Sequence, residues 1–204
     1  MPQLVEALGR QLLPYIDKRS AFFGHSLGGL VSFELARYLR NAYGWQPDQI
    51  FVSGCSAPQV TPRFSPIHSL PMPQFLLELE RLGGRLDPPS ANDQAVSLML
   101  PTLRADLALR ANYAYASEAS LDCAIKAYGG MEDRHVKYQQ LDLWRRETTG
   151  PFSLHIFAGG HFFINTAEAL VLADLSETLG ERMRKLSNQT AVLTLEGQFA
   201  SADR

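Results

Sequence analysis

The sequence predicts an α/β fold in which helices flank a mostly parallel sheet and a helical insertion interrupts the pattern. Three observations carry this prediction. An apolar strand, a tight Gly-containing turn and a long helical run follow one another over residues 21–43. Strand-like and helical runs alternate before and after the middle of the chain. Between them, roughly sixty residues show helical patches and no strand, as expected of an insertion over a sheet edge.

The elements follow in order. Leu4, Val5, Leu8, Leu12, Leu13 and Ile16 recur at helical spacing, so residues 3–13 read as an amphipathic helix that Pro14 ends or kinks. Asp17-Lys18-Arg19-Ser20 is a polar connection to a buried strand, Ala21 to Phe23. The helix expected over Leu27 to Tyr43 stops at Gly44-Trp45-Gln46-Pro47. Gln49 to Ser53 is the next strand, ended by Gly54-Cys55-Ser56-Ala57-Pro58. Residues 59–72 carry Pro62, Pro66 and Pro71. Helical patches follow at Pro73 to Leu82, Ala91 to Leu100 and Pro101 to Ala114, with Gly83-Gly84 and Pro88-Pro89 between the first two. Strand character returns at Ala124 to Tyr128, helix at Gln139 to Arg146, and strand at Phe152 to Phe157. Residues 165–186 form the last helix. The expected organisation is one domain over 1–186 with a lid over about 59–118. Residues 187–204, with one apolar patch at Ala191 to Leu195, form a tail expected to be partly disordered.

Composition excludes several classes. The chain has 204 residues, enough for one substantial domain, and its 46% hydrophobic and 20% charged content is that of a globular protein. A net charge of −2 provides no basic field for nucleic acid. No stretch reaches the ~18 consecutive apolar residues of a membrane-spanning helix. The N-terminus lacks the basic and apolar regions of a secretory signal. The two cysteines, Cys55 and Cys123, have no metal or redox spacing and read as reduced, buried thiols of a cytoplasmic protein. No metal-ligand constellation stands out.

The chemistry centres on Gly24-His25-Ser26-Leu27-Gly28. A Gly-x-Ser-x-Gly turn between a strand and a helix is the setting of a nucleophile elbow. It lifts the Ser26 hydroxyl out of the sheet and turns the Leu27 N–H toward an incoming oxyanion. The turn is expected to demand small residues at Gly24 and Gly28. An activated serine needs a base, and the base an orienting acid, in the chain order Ser, Asp or Glu, His of α/β-hydrolases. Of five histidines, His161 follows a strand within Gly159-Gly160-His161-Phe162 and is the expected base. His25 is too close to Ser26 in sequence to act as base and reads as a packing residue. His68, His135 and His155 are poorly placed. Glu132 and Asp133 both follow the strand ending at Tyr128, and Asp133 is preferred as the acid. Asp106 is a weaker candidate that reads as an exposed helix charge.

With these pieces placed, the chain resembles the type II thioesterases, the discrete editing thioesterases of polyketide and nonribosomal peptide synthesis, and their medium-chain fatty-acyl relatives. The resemblance runs from about residue 4 to 180. It rests on the elbow with Phe33-Glu34-Leu35-Ala36-Arg37, Phe51-Val52-Ser53-Gly54 with Ala57-Pro58, Leu79 to Gly84, Leu100 to Asp106, Tyr113, Gly129-Gly130 with Asp133, and Gly160 to Phe163. It implies an α/β-hydrolase fold and hydrolysis of acyl thioesters by Ser26, His161 and Asp133. The acyl group would be carried on the phosphopantetheine arm of an acyl or peptidyl carrier protein, with no cofactor held by the chain itself. The lid would then form an acyl chamber, with Phe75, Leu76, Leu79, Met99 and Leu103 as candidate lining. The family carries a longer N-terminal region with the first sheet strands and a Gly-Gly loop that supplies a second oxyanion donor. The chain is therefore expected to be N-terminally truncated relative to it, with Leu27 as the one assignable donor and the strand at 21–23 uncovered on one side. A small-molecule carboxylesterase, and an impaired form that binds a carrier protein or other partner, are the alternatives.

Overall fold

A computed structural model describes residues 1–60, 67–81 and 94–184. Met1–Phe163 form one compact unit and Ile164–Arg204 a second. In the first unit, helix α1 (Pro2–Leu12) continues into a 3₁₀ turn at Leu13–Tyr15, where Pro14 lacks the N–H that would extend it. Strand β1 (Ala21–His25), helix α2 (Leu27–Tyr43) and strand β2 (Gln49–Ser53) follow. The insertion contributes α3 (Met72–Arg81) and α4 (Gln94–Ala111). Then come β3 (Ala124–Gly130), the short α5 (Tyr138–Asp142) and β4 (Phe152–Phe157), and the turn-length α6 (Phe163–Thr166) starts at this unit's last residue. In the second unit residues 168–184 are helical.

The four strands pair in the order β1-β2-β3-β4, every pair parallel. Parallel neighbours need long crossovers, which α2, the insertion and α5 provide. Strand β2 is buried at every position, with the apolar run Ile50 to Val52 between the polar Gln49 and Ser53, as suits an interior strand. Strand β1 ends the described sheet. Its Phe22 meets the Trp45 ring at 6.2 Å, while Phe23 remains 44% exposed.

The core lies between α2, the sheet and the segment after β3. Leu30, Phe33 and Ala36 of α2 share one buried cluster with Ile50, Val52, Ile125, Ala127, Leu141 and Trp144. The fully buried Trp144 sits edge-on to Phe33 at 5.2 Å. Its indole N–H donates to the Cys55 carbonyl at 2.7 Å, which satisfies the polar end of an otherwise apolar side chain. Both cysteines are buried thiols outside any disulfide, as expected. Helix α2 is also tied to the segment that follows α4. The buried Arg37 guanidinium pairs with Glu34 and Glu118, each at 2.8 Å, and donates to the Ala116 carbonyl at 2.6 Å.

Several elements differ from expectation: the helix expected over Gln139 to Arg146 is α5 followed by a 3₁₀ stretch at Leu143–Glu147. The patches divided at Pro101 form the single helix α4 with Pro101 inside it. Leu100, next to the proline, is buried with Phe75 and Leu79 of α3, and this packing outweighs the missing backbone hydrogen bond. The last helix is also broken, since residue 167 separates α6 from residues 168–184. The lid segments 61–66 and 82–93, including Gly83-Gly84 and Pro88-Pro89, lie outside the described residues, as does the tail at 187–204. Among the described residues no helix is long and apolar enough to cross a membrane.

Candidate active site

The site is built at the C-terminal ends of the strands. Ser26 follows β1 directly and has φ 53 and ψ −118, the only positive φ of a non-glycine among the described residues. Such a conformation is strained and persists only where its surroundings hold it. Here the Ser26 N–H donates to the Ser53 carbonyl at 2.7 Å, and the Ser26 carbonyl accepts from Gly29 at 3.1 Å. Leu27 opens α2, so its N–H is among the donors a helix start leaves without an intrahelical partner.

The glycine requirement is only partly as the motif suggests. A Cβ on Gly24 would lie 2.0 Å from the Gly28 carbonyl oxygen, so no side chain fits there. A Cβ on Gly28 would meet nothing within 4 Å, which corrects the expectation for that position. The tight residue is Gly29, where a Cβ would stand 2.9 Å from Cys55 Cβ. The turn curls back onto β1 through the backbone of residues 28–29, so crowding falls on Gly24 and Gly29.

The loops after β3 and β4 are stitched together. Met131 N–H donates to the Phe157 carbonyl at 2.8 Å and Glu132 N–H to the Gly159 carbonyl at 2.9 Å. Gly130 allows the approach, because a Cβ there would lie 2.2 Å from the Gly160 oxygen. This seam brings Asp133 and His161 together. Asp133 Oδ2 accepts from His161 Nδ1 at 2.8 Å, and Oδ1 accepts the His135 and Val136 N–H groups at 2.7 and 3.1 Å. Burial pushes the Asp133 carboxyl pKa up. The His161 hydrogen bond and charge and the two backbone donors outweigh it, and the net direction is down. Asp133 is therefore an ionised acceptor, which puts the His161 proton on Nδ1 and leaves the Nε2 lone pair free to act as base. Among the described residues no hydrogen bond joins Ser26 Oγ to His161. Such contacts tighten when substrate binds.

The other candidates fall elsewhere. Glu132 and Asp106 are exposed. His155 stacks on Phe157 at 4.2 Å, and His68 lies in the 3₁₀ turn Ile67–Ser69. His135 stands edge-on to His161 at 6.1 Å. His25 closes β1 with its ring 5.1 Å from that of His161. Of the candidate lining, Phe75 and Leu79 are buried against Leu100 inside the lid, with Leu76 and Leu103 packed around them. Met99 is 64% exposed. Among the described residues no group of His, Cys, Asp and Glu side chains could hold a metal ion. The residue that sequence reasoning passed over is Ser53. It is Cα partner to His25 in the parallel register, and only that register reveals it.

A parallel sheet with a strained serine between strand and helix, followed by an acid and a histidine on later strand ends, defines an α/β-hydrolase. Within that class the chain belongs to the thioesterase family: the family model described as Thioesterase domain matches residues 1–179. It is 39% identical over 179 residues to a Brevibacillus parabrevis protein named linear gramicidin dehydrogenase LgrE, covering 86% of this chain and 68% of that one. It is 38% identical over 163 residues to thioesterase PikA5 of Streptomyces venezuelae, covering 80% of this chain and 58% of the other. The solved structure of RedJ, a thioesterase of the prodiginine pathway in Streptomyces coelicolor, superposes with a TM-score of 0.79 at 32% identity, covering 86% and 70% of the two chains. The chain thus spans about three fifths to two thirds of the length of these curated relatives.

Proposed function

We propose that this chain carries the catalytic centre of a thioesterase that removes acyl groups from the phosphopantetheine arms of acyl or peptidyl carrier proteins in polyketide or nonribosomal peptide synthesis. The observation that carries the reading is the Asp133–His161 pair at 2.8 Å, its carboxylate buried, with a serine held at positive φ at the start of α2. Relatives named as thioesterases of biosynthetic pathways, among them RedJ of the prodiginine pathway and a type II thioesterase of the yersiniabactin NRPS/PKS pathway, support the substrate class.

In this reading Ser26 Oγ attacks the thioester carbonyl as His161 Nε2 takes its proton. The Leu27 N–H receives the developing oxyanion. Collapse expels the carrier thiol, which takes its proton from His161, and leaves an acyl ester on Ser26. Water then attacks that ester, giving a proton to His161, and the free acid departs as Ser26 regains its hydrogen. Asp133 stays ionised throughout and stabilises the imidazolium formed in each half. No cofactor of the chain's own enters these steps.

The test uses a carrier protein loaded with acetyl- or propionyl-phosphopantetheine. The expected result is release of the acid with kcat/KM above that for the p-nitrophenyl ester of the same acid. Fluorophosphonate labelling should map to Ser26 and vanish in Ser26→Ala. Better turnover of p-nitrophenyl esters, or labelling that survives Ser26→Ala, would overturn the reading.

A further inference from the structure

His25 lies beside the proposed base, yet the mechanism above does not use it. Its Nδ1 is 3.0 Å from Ser53 Oγ. Its Nε2 is buried with no hydrogen-bond partner. A buried ring nitrogen without a partner calls for an explanation. An apolar ring would fill the same space with no such atom, so space filling alone does not account for a histidine. The nitrogen that is satisfied points to the reason. Ser53 accepts the Ser26 N–H through its carbonyl and holds His25 through its hydroxyl, so one residue fixes both the nucleophile's backbone and the His25 ring.

The ring in turn meets the base. His25 and His161 are 5.1 Å apart between centroids, with Phe162 and Phe163 at 5.8 and 5.9 Å completing the wall. Gly54, at φ +55, makes room between the two imidazoles. A Cβ there would lie 2.8 Å from His25 Cε1 and 3.4 Å from His161 Cε1. Burial first, and then the His161 charge, lower the His25 pKa to about 4, with Asp133 opposing. The ring beside the base is therefore uncharged at neutral pH and does not repel the imidazolium that catalysis forms. We propose that His25 is a positioning residue for His161: anchored on Ser53, its ring backs the imidazole and keeps the base turned between Asp133 and Ser26. The chain Ser26–Ser53–His25–His161 then sets the spacing of nucleophile and base without a direct bond between them. The inference rests on the serine-hydrolase reading.

The test is a mutant cycle on an acyl-thioester substrate, with kcat expressed per active site titrated by a fluorophosphonate. His25→Ala is expected to lower kcat about 10–100-fold with KM within about twofold. His25→Phe keeps the ring and loses the anchor, so it should recover most of that loss. Ser53→Ala removes the same hydrogen bond from the other side. Its effect should match that of His25→Phe, at about 3–10-fold, and the double variant should be no worse than either single one. The downfield Nδ1–H resonance of His161 should be sharp in the wild type and broadened in His25→Ala. Wild-type kcat per site in His25→Ala, or additive losses in the double variant, would overturn the proposal. If His25→Ala does not fold, the Phe and Ser53 variants carry the test alone. Absence of Ser26 labelling in the wild type would sink the serine-hydrolase reading, an outcome distinct from failure of the His25 cycle.

Discussion

His25 should make the protein lose stability on mild acidification in a way that a single substitution removes. Its pKa in the folded chain is lowered from 6.5 to about 4, through burial and then the charge of His161, with Asp133 opposing. The other groups facing it, Ser53, Gly54, Phe162 and Phe163, carry no charge. Between these two pKa values the unfolded chain binds a proton that the folded chain refuses. Stability therefore falls as pH falls through this window, and the contribution is intact above pH 6.5. The linkage relation gives a loss of about 2 kcal/mol at pH 5 and about 3 kcal/mol at pH 4. The assay is urea unfolding of the wild type and His25→Phe at pH 7.5 and pH 5. The drop between the two pH values should be smaller in the variant by about 2 kcal/mol, because the other titrating groups cancel in the comparison. The Hε1 resonance of His25 should titrate near pH 4. Equal drops in the two proteins, or a titration midpoint near 6.5, would refute the reasoning.

Asp133→Asn should lower thioester turnover by about 10³–10⁴-fold, because an amide that donates to His161 Nδ1 selects the wrong tautomer. Glu132→Gln and Asp106→Asn, both at exposed positions, should leave turnover within a few-fold; equal loss at Asp106 would count against the assignment. Gly24→Ala should cost about 3 kcal/mol or more or prevent folding, since its Cβ meets backbone at 2.0 Å. Gly28→Ala has open space in a helix and should stabilise by about 0.5 kcal/mol in thermal unfolding. Phe75→Ala empties the centre of the lid cluster and should loosen α3 against α4 by about 3 kcal/mol. Faster proteolysis within the lid with unchanged Ser26 labelling is the expected readout.

The parts of this molecule legible in the sequence are those set by local chemistry. Strands β2 and β4 and helix α2 begin and end where the apolar runs and their Gly and Pro punctuation place them. Ser26, Asp133 and His161 stand at the ends of β1, β3 and β4, because a nucleophile elbow and glycine-bounded strand ends leave few alternatives. What was not legible depends on which distant segments touch. The crowding at Gly29 arises from Cys55, the continuity of α4 through Pro101 from α3, and the closeness of Gly130 to Gly160 from the pairing of β3 with β4. His25 read as packing because its partner Ser53 is reached only across the sheet. The strand at Ala21 to Phe23 reads as buried from its apolar run and as uncovered on one side from the family resemblance, and Phe23 is 44% exposed.

The hydrogen bonds divide the labour between sheet and insertion. The Ser26 amide is held by Ser53, and the acid loop by Phe157 and Gly159. All of these holds lie at the C-terminal edge of the sheet, and none comes from the described lid helices. The insertion reaches this region through Arg110, whose guanidinium donates to Ser56 Oγ at 2.8 Å. It reaches α2 through the Arg37 pairs just after α4. Its own apolar cluster of Phe75, Leu79 and Leu100 is separate from the sheet core. Repacking that cluster should therefore leave untouched the hydrogen bonds that hold Ser26 and the Asp133 loop, because none of them is made by α3 or α4.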